Sequence, residues 1–192
     1  MLKISEIFYS IQGEGWRQGF ATIFIRLAGC NLRCSWCDTA YAWGDGEEWE
    51  EQAIIEHIAQ QNCPWVCLTG GEPLIQDLRL LCRLLKKEGY RIQIETNGTI
   101  SPSKELKESI DHWTVSPKPP EYKIAPGLPV TELKYIVNYD FSEKVMRWDL
   151  TDCIAVQPMD NNEEAIIKCL VLIQKYPRIK LSLQLHKLIG VR

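Results

Sequence analysis

ATIFIRLAGCNLRCSWCDTAYAW, residues 21–43, is the stretch on which the fold turns. Its opening residues alternate, with Ile23, Ile25 and Leu27 on one parity and Thr22, Phe24 and Arg26 on the other. Successive side chains of a strand face opposite sides of the sheet, so residues 21–28 predict a β-strand with one apolar face and one that carries a guanidinium. Just past it stand Cys30, Cys34 and Cys37, spaced C-x3-C-x2-C. They occupy a loop at the strand's C-terminal end, the face on which βα barrels carry their active sites.

Three thiolates can hold three irons of a cubane cluster and leave the fourth open to an external ligand, whereas electron-transfer clusters normally take four cysteines. The alternatives are a zinc site with a fourth ligand elsewhere, or three cysteines packed in an apolar loop. Zinc spacings usually come as paired C-x2-C units, and the sequence has no second pair. Cys63, Cys67, Cys82, Cys153 and Cys169 read as small core residues.

Outward from this stretch, β-rich runs recur at 65–69, 91–96, 112–117, 132–138, 153–158 and 179–186, with amphipathic runs at 50–61, 74–88, 103–109, 141–148 and 161–175. Strands alternating with helices predict an α/β protein with a mainly parallel sheet. About seven strands in 192 residues, against roughly 250 residues for an eight-unit barrel, predict a partial, open TIM-like βα barrel. The proline-rich stretch 119–131 reads as a loop.

The parity of the first strand repeats. Val66 and Leu68 oppose Cys67 and Thr69, and Ile92 and Ile94 oppose Gln93 and Glu95. Thr114 and Ser116, then Gln157, then Ser182, Gln184 and His186 extend the polar set. With the apolar parity under the helices, the polar parity lines an interior, where each unpartnered polar group costs roughly 2–7 kcal/mol. Such a lining predicts a bound polar ligand; the alternative, one wet sheet face, is commoner in antiparallel sheets.

A chain of 192 residues, 45% hydrophobic and 24% charged, predicts one globular domain over residues 1–192. The formal charge of −3 gives no broad basic surface for a nucleic-acid partner. No export signal and no membrane-spanning apolar run is evident, which predicts a cytoplasmic protein with reduced thiols and no membrane partner.

The three-cysteine loop after the first of these strands, with Thr69-Gly70-Gly71-Glu72-Pro73 after the second, resembles the radical S-adenosylmethionine (SAM) superfamily. The resemblance implies a [4Fe-4S] cluster on Cys30, Cys34 and Cys37 whose open iron chelates SAM, and reductive cleavage of SAM to a 5′-deoxyadenosyl radical. The protein's part is to position and shield that chemistry. EIFYSIQGEG (6–15), CSWCDT (34–39), ETNGT (95–99), SPKPP (116–120) and QPMD (157–160) together resemble one branch, the 7-carboxy-7-deazaguanine synthases. That branch implies conversion of 6-carboxy-5,6,7,8-tetrahydropterin to 7-carboxy-7-deazaguanine with loss of ammonia, an early step towards queuosine. It also implies a homodimer and a flavodoxin or ferredoxin as electron donor.

Carried over residue by residue, the resemblance implies SAM contacts from Trp36, Cys37 and Asp38, from Gly71, from Ser116, Pro117 and Lys118, and from Gln157, Pro158, Met159 and Asp160. It implies substrate contacts from Ile11, Gln12, Gly13, Arg26 and Thr69, and a Mg²⁺ ion on Thr39. Arg26 has support of its own, since a guanidinium facing a lumen matches a carboxylate in bidentate geometry. With Arg26, the lumen residues Glu95, Asn97, Gln184 and His186 are the candidate catalytic groups at the pterin ring edges. The chain departs from the branch in its brevity, around 119–131 and towards its closing GVR.

The glycines of IQGEG form no phosphate loop, because no Gly-Lys-Ser/Thr follows. His57 and His112 read as ordinary, and the acidic residues at 45–51 as a solvated loop and helix start. Two competing readings share the three cysteines: a small activase that installs a glycyl radical on a partner protein, and an Fe–S redox module without a reaction of its own. SAM cleavage separates the synthase from the module, and turnover of a small pterin separates it from the activase.

Overall fold

The computed structural model describes residues 1–192. Nine strands form one sheet: β1 (Leu2–Ile11), β2 (Ala21–Leu27), β3 (Glu47–Trp49), β4 (Trp65–Gly70), β5 (Arg91–Thr96), β6 (His112–Val115), β7 (Glu132–Val137), β8 (Ile154–Pro158) and β9 (Lys180–Leu181). Their order is β3-β1-β2-β4-β5-β6-β7-β8-β9. All neighbours from β2 to β9 run parallel, and β1 is antiparallel to β2 and to β3. Because β3 and β9 do not pair, the barrel is open. The helices are α1 (Glu51–Ile58), α2 (Arg79–Lys87), α3 (Lys104–Ser109), α4 (Glu163–Lys175) and α5 (Leu185–Ile189).

The apolar parity of the strands forms the dry layer. Ile23, Ile25, Leu27, Val66, Leu68, Ile92 and Ile94 are fully buried against helix residues such as Ile54, Leu81 and Leu85. Leu81, Cys82 and Leu85 make one buried stripe on α2, as an amphipathic helix requires. Ser103 and Asn162 cap α3 and α4 by accepting from the first-turn N–H groups of Leu106 and Glu164. No helix is long and apolar enough to cross a membrane.

Several expectations are corrected. A strand, β1, precedes β2, pairs with it as an antiparallel hairpin and occupies EIFYSI, which carried only a motif. The acidic stretch holds the short strand β3, which pairs with β1. The run 141–148 makes only a 3-10 turn at Glu143–Val145, because the Tyr135 hydroxyl takes its backbone, donating to the Val145 carbonyl and accepting from the Arg147 N–H. The run 74–88 opens as a separate 3-10 turn, Pro73–Ile75, before α2 begins. The expected strand 179–186 is reduced to Lys180–Leu181, and 185–189 is helical. There the Gln184 N–H donates to Asn161 Oδ1 and the Leu185 N–H to the Gly13 carbonyl, so loops have taken the groups a ladder would have used. Cys153 is half-buried, unlike the buried Cys63, Cys67, Cys82 and Cys169. His112, expected to be ordinary, is a buried histidine satisfied by Glu132, with Nε2 to Oε2 at 3.2 Å, and needs no correction.

Residues 12–20, between β1 and β2, fold inward. The Gly15 N–H donates to Ser182 Oγ (2.7 Å), the Trp16 N–H to Glu132 Oε1 (2.7 Å), and Gln18 Nε2 to the Leu183 carbonyl (3.0 Å). This loop ties the hairpin at one edge of the sheet to the residues around β9 at the other.

Candidate functional site

A cavity of about 590 Å³ opens at the C-terminal ends of the parallel strands. The inward parity lines it: Arg26, Thr69, Glu95, Thr114, Ser116 and Gln157 all reach it. One rim is the cysteine loop, through Cys34, Trp36, Cys37 and Asp38.

The cysteine loop rests on glycines for a steric reason. A Cβ on Gly71 would come within 2.2 Å of the Gly29 carbonyl oxygen and 2.8 Å of Cys30 Cβ, so the loop after β4 lies directly on the cysteine loop. Gly70 has φ +138 and would meet the Leu27 carbonyl at 2.1 Å. Glu72 locks the pair of loops to β5: fully buried, it accepts from the Asn97 N–H (2.7 Å), Thr96 Oγ1 (2.8 Å) and the Leu74 N–H (3.0 Å). Burial raises its pKa against those donors. Asn97 Nδ2 donates to Asn31 Oδ1 (2.9 Å), and Asn97 Oδ1 accepts from Thr99, so this amide braces the cysteine loop while still lining the cavity.

Cys30, Cys34 and Cys37 are free, half-buried thiols on this one loop. Burial raises the pKa of Cys30 and of Cys34. No three His, Cys, Asp or Glu side chains converge closely enough to grip a single metal ion; a cubane, whose irons sit at separate corners, asks for a wider spread of thiols. Three soft donors on the one loop that forms a rim of this polar cavity, Cys34 and Cys37 lining it, fit such a cluster.

Beside Trp36, Cys37 and Asp38, the cavity lining carries the other SAM candidates at the ends of β6 and β8. Lys118 Nζ donates to Ser116 Oγ (2.7 Å) and lies 5.6 Å from the Trp36 ring centroid, and burial lowers its pKa, aided by Lys134. Pro117 is buried between them in sequence. Gln157 Oε1 accepts from Ser182 Oγ (3.2 Å). Pro158 ends β8, and the turn Met159–Asn161 follows, with Asp160 at φ 55. Lys187 of α5 bridges that turn and the cysteine loop, 2.7 Å from Asp160 Oδ1 and 3.4 Å from Asp38 Oδ2. Burial and the nearby Glu14 raise the Asp38 pKa, but hydrogen bonds from Gln184 and Thr39 and the Lys187 charge bring it below its ordinary value. Thr39 Oγ1 donates to Asp38 Oδ1 (3.0 Å) at the cavity edge.

Deeper in, the polar groups are paired in a fixed order. Gln12 Nε2 donates to Gln93 Oε1 (3.3 Å) and Glu95 Oε1 (3.1 Å), and Thr69 Oγ1 donates to Glu95 Oε2 (3.0 Å). Ile11 ends β1 beside them. Gly13 lies against the His186 ring, where a Cβ would come within 2.0 Å of Nδ1. Gln184 Nε2 donates to both Glu14 Oε1 (3.0 Å) and Asp38 Oδ2 (2.9 Å), which leaves its Oε1 buried and without a partner. Arg26 donates through Nε to Glu6 Oε1 (2.7 Å), and its two terminal nitrogens make no hydrogen bond within the protein.

Sequence reasoning passed over Lys134 and Glu14, which form a buried ion pair in this wall. Burial would raise the Glu14 pKa, but the Lys134 charge and hydrogen bond, with the Gln184 amide, hold it at about 2. The signal for Lys134 was its shared parity with Glu132 on β7. Glu14 stood in a quoted motif, but nothing local says that the loop enters the barrel.

The Radical SAM superfamily model matches residues 24–125. An open, mainly parallel βα barrel with three cysteines on the loop after its first parallel strand therefore defines a radical SAM enzyme, whose cofactors are a [4Fe-4S] cluster and SAM. The 7-carboxy-7-deazaguanine synthase of Methanospirillum hungatei is 37% identical over 99% of this chain and 86% of its own length. That of Bacteroides thetaiotaomicron is 36% identical over 100% of both. The crystal structure of QueE from Escherichia coli superposes with a TM-score of 0.77 at 27% identity, covering 96% of this chain and 94% of that one. The chain belongs to the 7-carboxy-7-deazaguanine synthase family.

Proposed function

We propose that the protein, acting as one domain over residues 1–192, converts 6-carboxy-5,6,7,8-tetrahydropterin to 7-carboxy-7-deazaguanine with loss of ammonia. The observation that carries this reading is the single cavity that joins the cysteine loop to the unengaged edge of Arg26. Cys30, Cys34 and Cys37 would hold the cluster. Trp36, Asp38, Gly71, Ser116, Lys118 and the Gln157–Asp160 turn would hold SAM, and together cluster and SAM supply a carbon-centred radical.

The chain's own part is binding, orientation and exclusion of water. Arg26 offers its two terminal nitrogens as a fork for the substrate carboxylate. Glu95 is oriented by Gln12 and Thr69 to accept from ring N–H groups. Gln184 is restricted to accepting, since two carboxylates occupy its amide nitrogen. Lys134 neutralises Glu14 so that the wall carries no net buried charge there. Mg²⁺ would sit on Thr39 Oγ1, a hard oxygen donor of the kind the ion prefers, with the substrate carboxylate and waters completing its shell. Thr39→Ala is expected to keep SAM binding and to change the Mg²⁺ dependence of turnover, measured across a Mg²⁺ titration.

The protein would work in the cytoplasm as a homodimer, reduced by a flavodoxin or ferredoxin. The test is anaerobic incubation of the reconstituted protein with SAM, reductant and the carboxypterin, followed by mass spectrometry. Formation of the deazaguanine product is expected; SAM cleavage with the pterin unchanged would overturn the assignment of substrate.

A further inference from the structure

β1 does not run regularly beside β2. Ile4 pairs with Leu27 and Glu6 with Arg26, so one extra residue, Ser5, is accommodated in β1. On a regular strand residues 4 and 6 would share a face. Here Ile4 is buried in the apolar core, while Glu6 stands on the inward parity opposite Arg26, because a bulge re-aims the side chains that follow it. The irregularity is what brings a carboxylate to this guanidinium.

The contact has a specific shape. Glu6 Oε1 accepts from Arg26 Nε and from the Tyr41 hydroxyl, each at 2.7 Å, and Oε2 pairs with Arg192 Nη2. The side chains of Arg26 and Glu6 are only 16% and 11% exposed. Arg26 is therefore held by its inner nitrogen, with the Phe8 and Tyr41 rings 5.8 and 5.9 Å from Cζ, while its terminal fork stays unengaged in a residue that lines the cavity. A buried ion pair adds little net stability over an apolar packing of the same volume, so stability alone gives no reason for it.

We infer that Glu6, placed by the bulge at Ser5 and steadied by Tyr41, is a positioning residue that aims the Arg26 fork at the carboxylate of the substrate. This rests on the substrate reading above. Glu6 touches no substrate in this scheme; it sets the direction of the group that does, and so contributes to selection of carboxylated pterins over those without the carboxyl group.

The test compares the affinities of two ligands, measured by anaerobic calorimetry on the cluster-loaded protein with SAM bound: the carboxytetrahydropterin and the same tetrahydropterin lacking its carboxyl group. Glu6→Gln keeps the shape but sets an amide against Arg26. It is expected to weaken the carboxylated ligand by about tenfold and the other by less than about twofold. If Glu6→Gln does not fold, Glu6→Asp, which keeps the charge and withdraws it by one methylene, gives the same comparison. Equal weakening of both ligands, or of neither, would overturn the inference, because a merely structural residue does not distinguish them. Arg26→Lys separates the two levels of argument. If it discriminates between the ligands and Glu6→Gln does not, the positioning role fails alone; if Arg26→Lys does not discriminate, the contact between Arg26 and the carboxylate fails, and the role of Glu6 with it.

Discussion

Arg26 and Arg17 both point into the barrel, the first towards its open end and the second at its floor, and they are held in different ways. Arg26 has a carboxylate on its inner nitrogen and two terminal nitrogens without a partner in the protein. Arg17 has no carboxylate. It is 8% exposed, donates through Nη1 to Gln93 Oε1 (2.9 Å), lies 3.6 Å over the Trp65 ring, and leaves Nη2 buried and unpartnered. Burial lowers its pKa. A ring face and an amide suffice to keep a cation as part of a plug, whereas a cation meant to meet an anion is braced on one edge and left open on the other. Lys134, paired with Glu14 midway up, belongs with Arg26 in having a carboxylate partner.

The comparison is tested most severely at the open end. Replacing Cys30, Cys34 or Cys37 with Ala is expected to abolish cluster assembly and SAM cleavage, read as iron content and 5′-deoxyadenosine, while replacing Cys63 or Cys67 near the floor leaves both. Full iron content in the triple variant would remove the distinction between the two ends. One level down, Lys134→Met strands the Glu14 carboxylate and is expected to cost about 3–5 kcal/mol in denaturant unfolding.

The same pair sets a pH dependence. Glu14 has its pKa lowered from 4.5 to about 2, so it contributes stability that is complete above pH 4.5 and is lost as pH falls from there through about 2. Lys134→Met should flatten that acid limb, and an unchanged limb would show that the pair is not what produces it.

Arg26→Ala is expected to weaken substrate binding by about 2–5 kcal/mol, much of it from leaving the substrate carboxylate unpaired. Arg26→Lys should recover only part, since a point charge does not reproduce the fork. Equal affinities in all three proteins would make Arg26 a second structural cation like Arg17. The smallest effect is expected at the floor. Arg17→Met keeps the packing volume over Trp65 and strands no carboxylate, so it should cost at most about 1–2 kcal/mol of stability. It should leave substrate affinity unchanged in the same titration. A loss as large as that of Lys134→Met would show that the floor cation is as costly to remove as the paired one.

The legible parts of this protein share a physical property: they are local. The alternation in residues 21–27, the cysteine loop after it and the glycines of the next loop report strand, rim and close backbone approach without reference to anything distant. Lumen residues on regular strands, Arg26, Thr69, Glu95 and Gln157, were legible for the same reason. Residues 179–186 show the limit. Their alternation is that of a strand, yet Asn161 and Gly13, from remote parts of the chain, claim the backbone N–H groups of Gln184 and Leu185.

The sequence by itself determined the class of fold, the cysteine set, the polar lining of most strands and the resemblance to the family, because parity and spacing are properties of neighbouring residues. Only the tertiary structure decided that the loop at 12–20 enters the barrel, that Glu14 meets Lys134 across 120 residues, and that Glu6 reaches Arg26 through a bulge. Those choices depend on which buried charge finds which partner. A charge in a low-dielectric interior needs a partner that the folded chain brings beside it, a carboxylate for Arg26 and Lys134 and a ring with an amide for Arg17, and local spacing does not say which remote group that will be.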